Sequence, residues 1–285
     1  MNYLFVGDIH NHNYIFDNIN RLDDKYQFDN IIFVGDYVDD WNTTNEDSLN
    51  TLDKVINLKK SNENKYTLLI GNHELSYLGY PCSGHRYEND TLVNKKLLDN
   101  IKYFDICKII DLNNCNSMFN YWDYDNAKAS APYIISHAGF TDGYFNILKK
   151  VYNVEKDSSI DTLKEISKII RDELINLKEI SKIIKDELIN EGTIYYTINQ
   201  ASFNRGGNSN YGSFLWADKI ELLDYPTSIF PNQIVGHSPV RSITNYRNIN
   251  EDKWFIDTYS NYRDGREYGD KSYLAYIDNN FKILY

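Results

Sequence analysis

The chain is poor in cysteine, in net positive charge and in long apolar runs, and each shortage excludes a class of protein. Cys82, Cys107 and Cys115 are the only cysteines in 285 residues, and they form neither a CxxC pair nor an even-numbered set. A disulfide framework is therefore excluded, a reducing cytoplasm is the expected home, and each thiol is read as a small buried hydrophobe. No stretch approaches the roughly 20 apolar residues that a membrane span needs, and the opening MNYLFVGD carries no basic leader. We expect a soluble, unexported protein without a membrane partner. Acidic residues outnumber basic ones, 41 to 30, for a net charge of −11. Proteins that hold nucleic acid through its phosphates cluster Lys and Arg instead, so stable nucleic-acid binding is not expected.

What is present is a repeated pattern. Three short β-rich runs, NYLFVG, NIIFVG and YTLLIG, each end in glycine and are separated by polar stretches of helix length. This predicts βαβαβ, with parallel strands buried on both faces and ligands gathered at the carboxyl ends of the strands. A second β-rich half carries APYIISHAG, NQIVGH, KWFID and SYLAYID, the last few close enough together to pair antiparallel. The length suits one domain over residues 1–285 with a helical insertion at about 155–200. That insertion holds a tandem repeat, LKEISKIIRDELIN at 163–176 and LKEISKIIKDELIN at 177–190, differing only at Arg171 and Lys185. Fourteen residues is almost four helical turns, so the second copy lengthens one amphipathic helix by ~21 Å while keeping Leu163, Ile170, Leu177 and Ile184 on one face. A tolerated duplication in a surface helix is one reading; a homo-oligomer contact or a lid is the other.

The residues that follow the strands share a chemistry. GDIH gives Asp8 and His10, GDYVD gives Asp36 and Asp39, GNHE gives Asn72 and His73, SHAG gives His137 and GHS gives His237. Any one of these alone reads equally well as a helix cap or an ordinary packed histidine. Taken together they are a set of oxygen and imidazole donors without thiolate, suited to Mn, Fe or Zn and numerous enough for two ions sharing an Asp. A cation also explains why FVGDYVDDW crowds Asp36, Asp39 and Asp40, which otherwise repel one another.

With those motifs in order, the chain resembles the calcineurin-like metallophosphoesterase superfamily, whose signature is GDxH, GDxxD, GNH[DE], a lone His and a GH dipeptide. GNHE, FLWAD at 214–218 and GHSPV resemble the phosphoprotein phosphatase branch and its bacterial relatives. The resemblance implies an α/β fold, a four-layer α/β/β/α sandwich of two mixed β-sheets flanked by helices. It implies two divalent metal ions, Mn first among Mn, Fe and Zn, with Asp8, His10 and Asp36 holding one and Asp36, Asn72, His137 and His237 the other. The resemblance makes His73 the general acid or electrostatic partner at the leaving oxygen, with Asp39 orienting and charging its ring, and a metal-bridging hydroxide the nucleophile.

One departure matters for the substrate. The phosphatases of this branch carry GDxVDRG, whose Arg grips phosphate; here Asp40 stands in that place, and we read it as a cap of the next helix or a solvent-facing residue. Replacement cations come from Arg86 with His85, ranked first because their loop follows His73, then from Arg205 and Arg241. Asp257, Arg263 and Arg266 read as loop and hairpin residues, and Trp41 and Trp216 as packing that can also stack on a nucleobase. The expected activity is hydrolysis of phosphomonoesters on a phosphoprotein or small phosphoester. A nucleotide hydrolase acting on dinucleoside polyphosphates or cyclic nucleotides is the second reading, and a phosphate-binding scaffold the non-enzymatic one.

Overall fold

A computed structural model describes residues 1–41, 43–78, 91–112, 131–176 and 197–285. Its first strands are β1 (Tyr3–Val6), β2 (Asn30–Phe33) and β3 (Tyr66–Leu69), which pair in parallel in the order β1-β2-β3. Helices α1 (Ile15–Tyr26) and α2 (Asn45–Ser61) make the crossovers, as the sequence pattern predicts. Because side chains alternate across a strand, each of these strands feeds two cores. Leu4, Val6, Ile31, Phe33 and Leu68 join the cluster that takes in α1 and α2, while Tyr3, Phe5, Ile32 and Leu69 join a second cluster.

The chain continues through α3 (Asn72–Tyr77) and α4 (Thr91–Asn100) to β4 (Phe104–Asp105), which pairs in parallel with β3. A second sheet has the order β5-β6-β7-β9-β8, built from β5 (Cys107–Ile110), β6 (Tyr133–Ser136), β7 (Asn232–Val235), β8 (Thr244–Arg247) and β9 (Asp252–Phe255). Ile135 and Ile234 of this sheet meet the second cluster, and Val235 and Phe255 pack behind it with Leu222 of α7 (Lys219–Asp224). Two mixed sheets lie face to face with helices outside: the expected α/β sandwich.

Two strand expectations are corrected. The later strands were expected to pair antiparallel in the second half. Instead β6, β7 and β9 run parallel, with β8 folding back antiparallel on β9 at the edge. β10 (Tyr273–Ile277) leaves that sheet altogether and pairs antiparallel with β1, followed by β11 (Asn280–Leu284). The reason lies in its composition: Tyr273, Ala275 and Ile277 join the first core and Leu274 and Tyr276 the second, so both faces need cover and an interior place in the six-stranded sheet supplies it.

Helix α5 (Asp142–Tyr152) leads to α6 (Ser159–Asn176), which contains the first copy of the repeat. Leu163 and Ile170 are buried as expected, joined by Ile166 and Leu174, and Arg171 reaches Asp105 at 2.9 Å. The second copy, with Leu177 and Ile184, lies outside the described residues, as do Cys82 and Cys115. Cys107 is partly buried against the first core, its thiol 3.4 Å from Ser167 Oγ and pushed up to about 11 by burial. Among the described residues no helix is long and apolar enough to cross a membrane.

Candidate metal centre

Every strand that runs parallel in the interior of either sheet delivers its next residues to one place. β1 gives Asp8 and His10, β2 gives Asp36 and Asp39, β3 gives Asn72 and His73, β6 gives His137 and β7 gives His237. The glycines between strand and ligand are there because these backbones nearly touch. A Cβ on Gly35 would sit 2.7 Å from Gly71 Cα and 3.0 Å from His137 Nδ1, and Gly35 has a φ of +112°.

Non-glycine residues are held in the same left-handed region: His10, Asn11, Asp36, Asp39 and His237 have φ between 45° and 64°. Such a conformation costs roughly 1–2 kcal/mol per residue and persists only where neighbours over-determine it. Glu74 is the main restraint. Its buried carboxylate accepts the N–H groups of Gly71 and Asp36 at 2.9 Å each, Tyr37 at 2.8 Å and Val38 at 3.3 Å. Burial and the charge of Asp36 push Glu74 up to about 7, with the Tyr37 and Gly71 amides pulling the other way. The sequence reading treated Glu74 only as the end of a motif; a Glu three residues after a glycine at a helix start is a capping-box signal that points to this role.

Histidine tautomers can be read from their second nitrogens. His137 Nδ1 lies 3.0 Å from the carbonyl oxygen of Val34, and His10 Nδ1 lies 2.7 Å from that of Asp39, so in each neutral ring Nδ1 carries the proton. The bare Nε2 of His137 then faces Asn72 Oδ1 at 2.8 Å and Asp36 Oδ2 at 3.4 Å. The bare Nε2 of His10 lies 3.9 Å from both Asp8 Oδ2 and Asp36 Oδ2. Lone pairs converging on carboxylate and amide oxygens call for a cation. Two donors each about 2.1 Å from one ion stand at most about 4.2 Å apart, and these separations fit.

By distance alone, the donor groups are His10, Asp36 and His73, and Asp36, His137 and His237, with the atoms of each within 4.8 Å of one another. Asp36 belongs to both. His73 differs from the other histidines because both of its nitrogens face carboxylates, Nδ1 at 3.4 Å from Asp39 and Nε2 at 3.8 Å from Asp36. Burial would lower its pKa, but Asp36 and the hydrogen bond to Asp39 raise it to about 9. With a carboxylate at each nitrogen, this ring can keep a proton on both. Asp39 is itself fixed by Tyr77, whose hydroxyl donates to Oδ1 at 2.6 Å. Neither Tyr77 nor this bond was foreseen.

The remaining charges fit the same picture. Burial, then Asp257 and Asp36, hold Asp8 well above the carboxylate range; for Asp36, burial acts upward, but His137 and His73 outweigh it and hold the group well below. Burial, then the cation of Arg205, holds His237 well below the usual histidine range. Asp257, expected in a loop away from the site, is fully buried beside Asp8. It follows β9 just as Asp36 follows β2, so the strand-end rule that found the others would have found it too.

His10, Asp36, Asp39, Asn72, His73 and His237 line a cavity of about 370 Å³ whose walls also include Trp41, Trp216, Arg205 and Arg263. Arg263 was expected in a hairpin outside the site; the turn that carries it folds back over the cavity mouth. Arg205 pairs with Asp218 at 2.7 Å and donates to the His237 carbonyl and Ser238 Oγ at 3.2 and 2.8 Å. Arg241 is exposed, Arg266 pairs with Asp264, and His85 and Arg86 lie outside the described residues. Asp40 neither caps a helix nor faces solvent. Thr44 is the N-cap of α2, and Asp40 accepts from Asn261 Nδ2 at 2.6 Å with His12 Nε2 at 3.4 Å. Those partners come from other loops, which is why local sequence did not reveal them.

A two-sheet α/β sandwich that gathers carboxylates and imidazoles at its strand ends can hold metal ions there. The model of the calcineurin-like phosphoesterase family matches residues 1–240, and the chain belongs to that family. Membership indicates a metal-dependent phosphoesterase with a dinuclear divalent centre, and the donor groups here can bind metal. No curated protein matches the chain.

Proposed function

We propose that the protein is a cytoplasmic, dinuclear-metal phosphoesterase that hydrolyses phosphomonoesters, of the type resembling phosphoprotein phosphatases, with residues 1–285 as one domain. The carrying observation is the pair of Nε2 atoms, on His10 and His137, turned toward the shared carboxylate Asp36 while each Nδ1 meets a backbone carbonyl. Asp8, His10 and Asp36 would hold one ion, and Asp36, Asn72, His137 and His237 the other, with Mn the first choice. When bound, such ions supply Lewis acidity toward phosphoryl oxygens and lower the pKa of water.

The chain's own residues do the rest. His73 gives a proton to the departing oxygen, and Asp39, braced by Tyr77, keeps the ring aimed. Glu74 holds the Asp36 loop in its strained shape, and Arg205 fixes the turn after His237 through that residue's carbonyl. The walls favour a second reading in one respect: Trp41 and Trp216 both line the cavity, where they can stack on a nucleobase of a nucleotide substrate.

The test is turnover of p-nitrophenyl phosphate against bis-p-nitrophenyl phosphate on metal-stripped protein restored with Mn, beside His73→Ala. Mn-dependent monoester hydrolysis that drops by about a hundredfold or more in the variant is the expected result. Preference for the diester moves the assignment to nucleotide substrates, and turnover of neither ester overturns the reading.

A further inference from the structure

The cavity wall contains two arginines with different surroundings. Arg205 is tied to Asp218, the His237 carbonyl and Ser238. Arg263 has no carboxylate partner among the described residues, whereas its neighbour Arg266 pairs with Asp264 at 2.8 Å. Its guanidinium carbon lies over an aromatic neighbour instead, 5.3 Å from the centre of the Trp41 ring. An indole face under a guanidinium covers one side of the cation and leaves the N–H edge open, the edge that matches two oxygens of a phosphoryl group.

The loop that carries Arg263 is pinned to the site at two points and closed by a turn of its own. Ser260 donates to the strand-end carboxylate Asp257, Oγ to Oδ2 at 2.8 Å. Asn261 donates to Asp40, next in sequence to Trp41. Beyond it, Gly265 N–H closes a turn onto the Tyr262 carbonyl at 2.8 Å, with Gly265 at φ +81°. These contacts place one exposed cation on the wall of a cavity lined by carboxylates and imidazoles.

We propose that Arg263, stacked on Trp41, binds non-bridging phosphoryl oxygens of the substrate and gives monoester dianions their advantage over diester monoanions. This rests on the phosphoesterase reading above. A fixed cation at the rim attracts a dianion more strongly than a monoanion, and a diester has replaced one of the oxygens that a bidentate guanidinium needs. Asp40 stays compatible because Asn261 occupies its outer oxygen.

The experiment uses Mn-restored protein as wild type, Arg263→Ala and Arg263→Lys. Three quantities are read: KM and kcat on both p-nitrophenyl esters, inorganic phosphate affinity by calorimetry, and the melting temperature. Arg263→Ala is expected to raise the monoester KM about tenfold with kcat within about twofold, to cut the monoester-to-diester ratio of kcat/KM about tenfold, and to weaken phosphate binding comparably. Arg263→Lys recovers part of each, and melting is unchanged. An active wild type whose Arg263→Ala variant keeps both the ratio and the phosphate affinity overturns the role of Arg263 and leaves the phosphoesterase reading standing. A wild type that hydrolyses neither ester yet loses phosphate affinity on Arg263→Ala overturns the phosphoesterase reading and leaves Arg263 as an anion-binding residue.

Discussion

The two donor groups that share Asp36 differ in how they are enclosed. His137 is fully buried and His237 is 8% exposed, whereas the side chains of His10 and His73 are 13% and 20% exposed. The inner pair comes from β6 and β7 of the second sheet, the outer pair from loops after β1 and β3 of the first. His137 is therefore sealed by the packing of the two sheets, whereas His237, like His10 and His73, lines the cavity. One carboxylate, Asp36, belongs to both groups.

Asp36→Asn erases that distinction and has the largest expected effect. The amide brings one oxygen in place of a shared anion, so neither group keeps its charge. Metal content measured by elemental analysis falls from two ions per chain toward none, and turnover drops by about a thousandfold or more. An Asp36→Asn protein that retains one tightly held ion would show the inner group to be self-sufficient.

Glu74→Gln comes next, because it acts on both groups through the loop that holds Asp36. Of the two oxygens that serve four backbone N–H groups, one becomes an NH₂ that accepts nothing, leaving buried amides without a partner. Metal affinity falls by about 10–100-fold, in the manner of lost outer-shell partners, and the protein loses about 1–3 kcal/mol of stability in denaturant titration. Equal losses of both ions are expected; loss confined to the outer ion would place Glu74 on one side of the comparison.

The convergence of the strand ends was legible in the sequence for both groups. Strand patterns ending in glycine gave β1, β2 and β3, and the donors at their ends followed from the rule that parallel sheets gather ligands at their carboxyl ends. His137 and His237 came from the same pattern in the second half, which is why residues from both sheets that meet at one place could be named. Asp257 obeyed the same rule and was passed over, since attention lay on the turn beyond it. What could not be read was everything set by contacts between distant loops. Asp40 finds Asn261, Arg263 finds Trp41 and Asp39 finds Tyr77 across 221, 222 and 38 residues. The place of β10 beside β1 belongs to the same class, because its two apolar faces say that it is interior and not to which sheet it belongs.

The smallest effect separates the two groups by pH. In metal-free protein His73 titrates at about 9, above the roughly 6.5 of an unfolded histidine, because Asp36 and Asp39 outweigh the cost of burial. A group raised on folding contributes its full stabilisation below about pH 6.5 and loses it as pH rises through 9. His237 shifts the opposite way and is already neutral across that window, so the inner group adds no slope there. The difference in unfolding free energy between chelator-treated wild type and His73→Asn should therefore shrink between pH 6.5 and 9, by at most about 3 kcal/mol. The same difference for His237→Asn should stay flat over that range. A His73 difference that does not change with pH would mean that the ring is neutral in the folded site, and a neutral ring with Nδ1–H turned to Asp39 has no proton left on Nε2 to give a leaving oxygen.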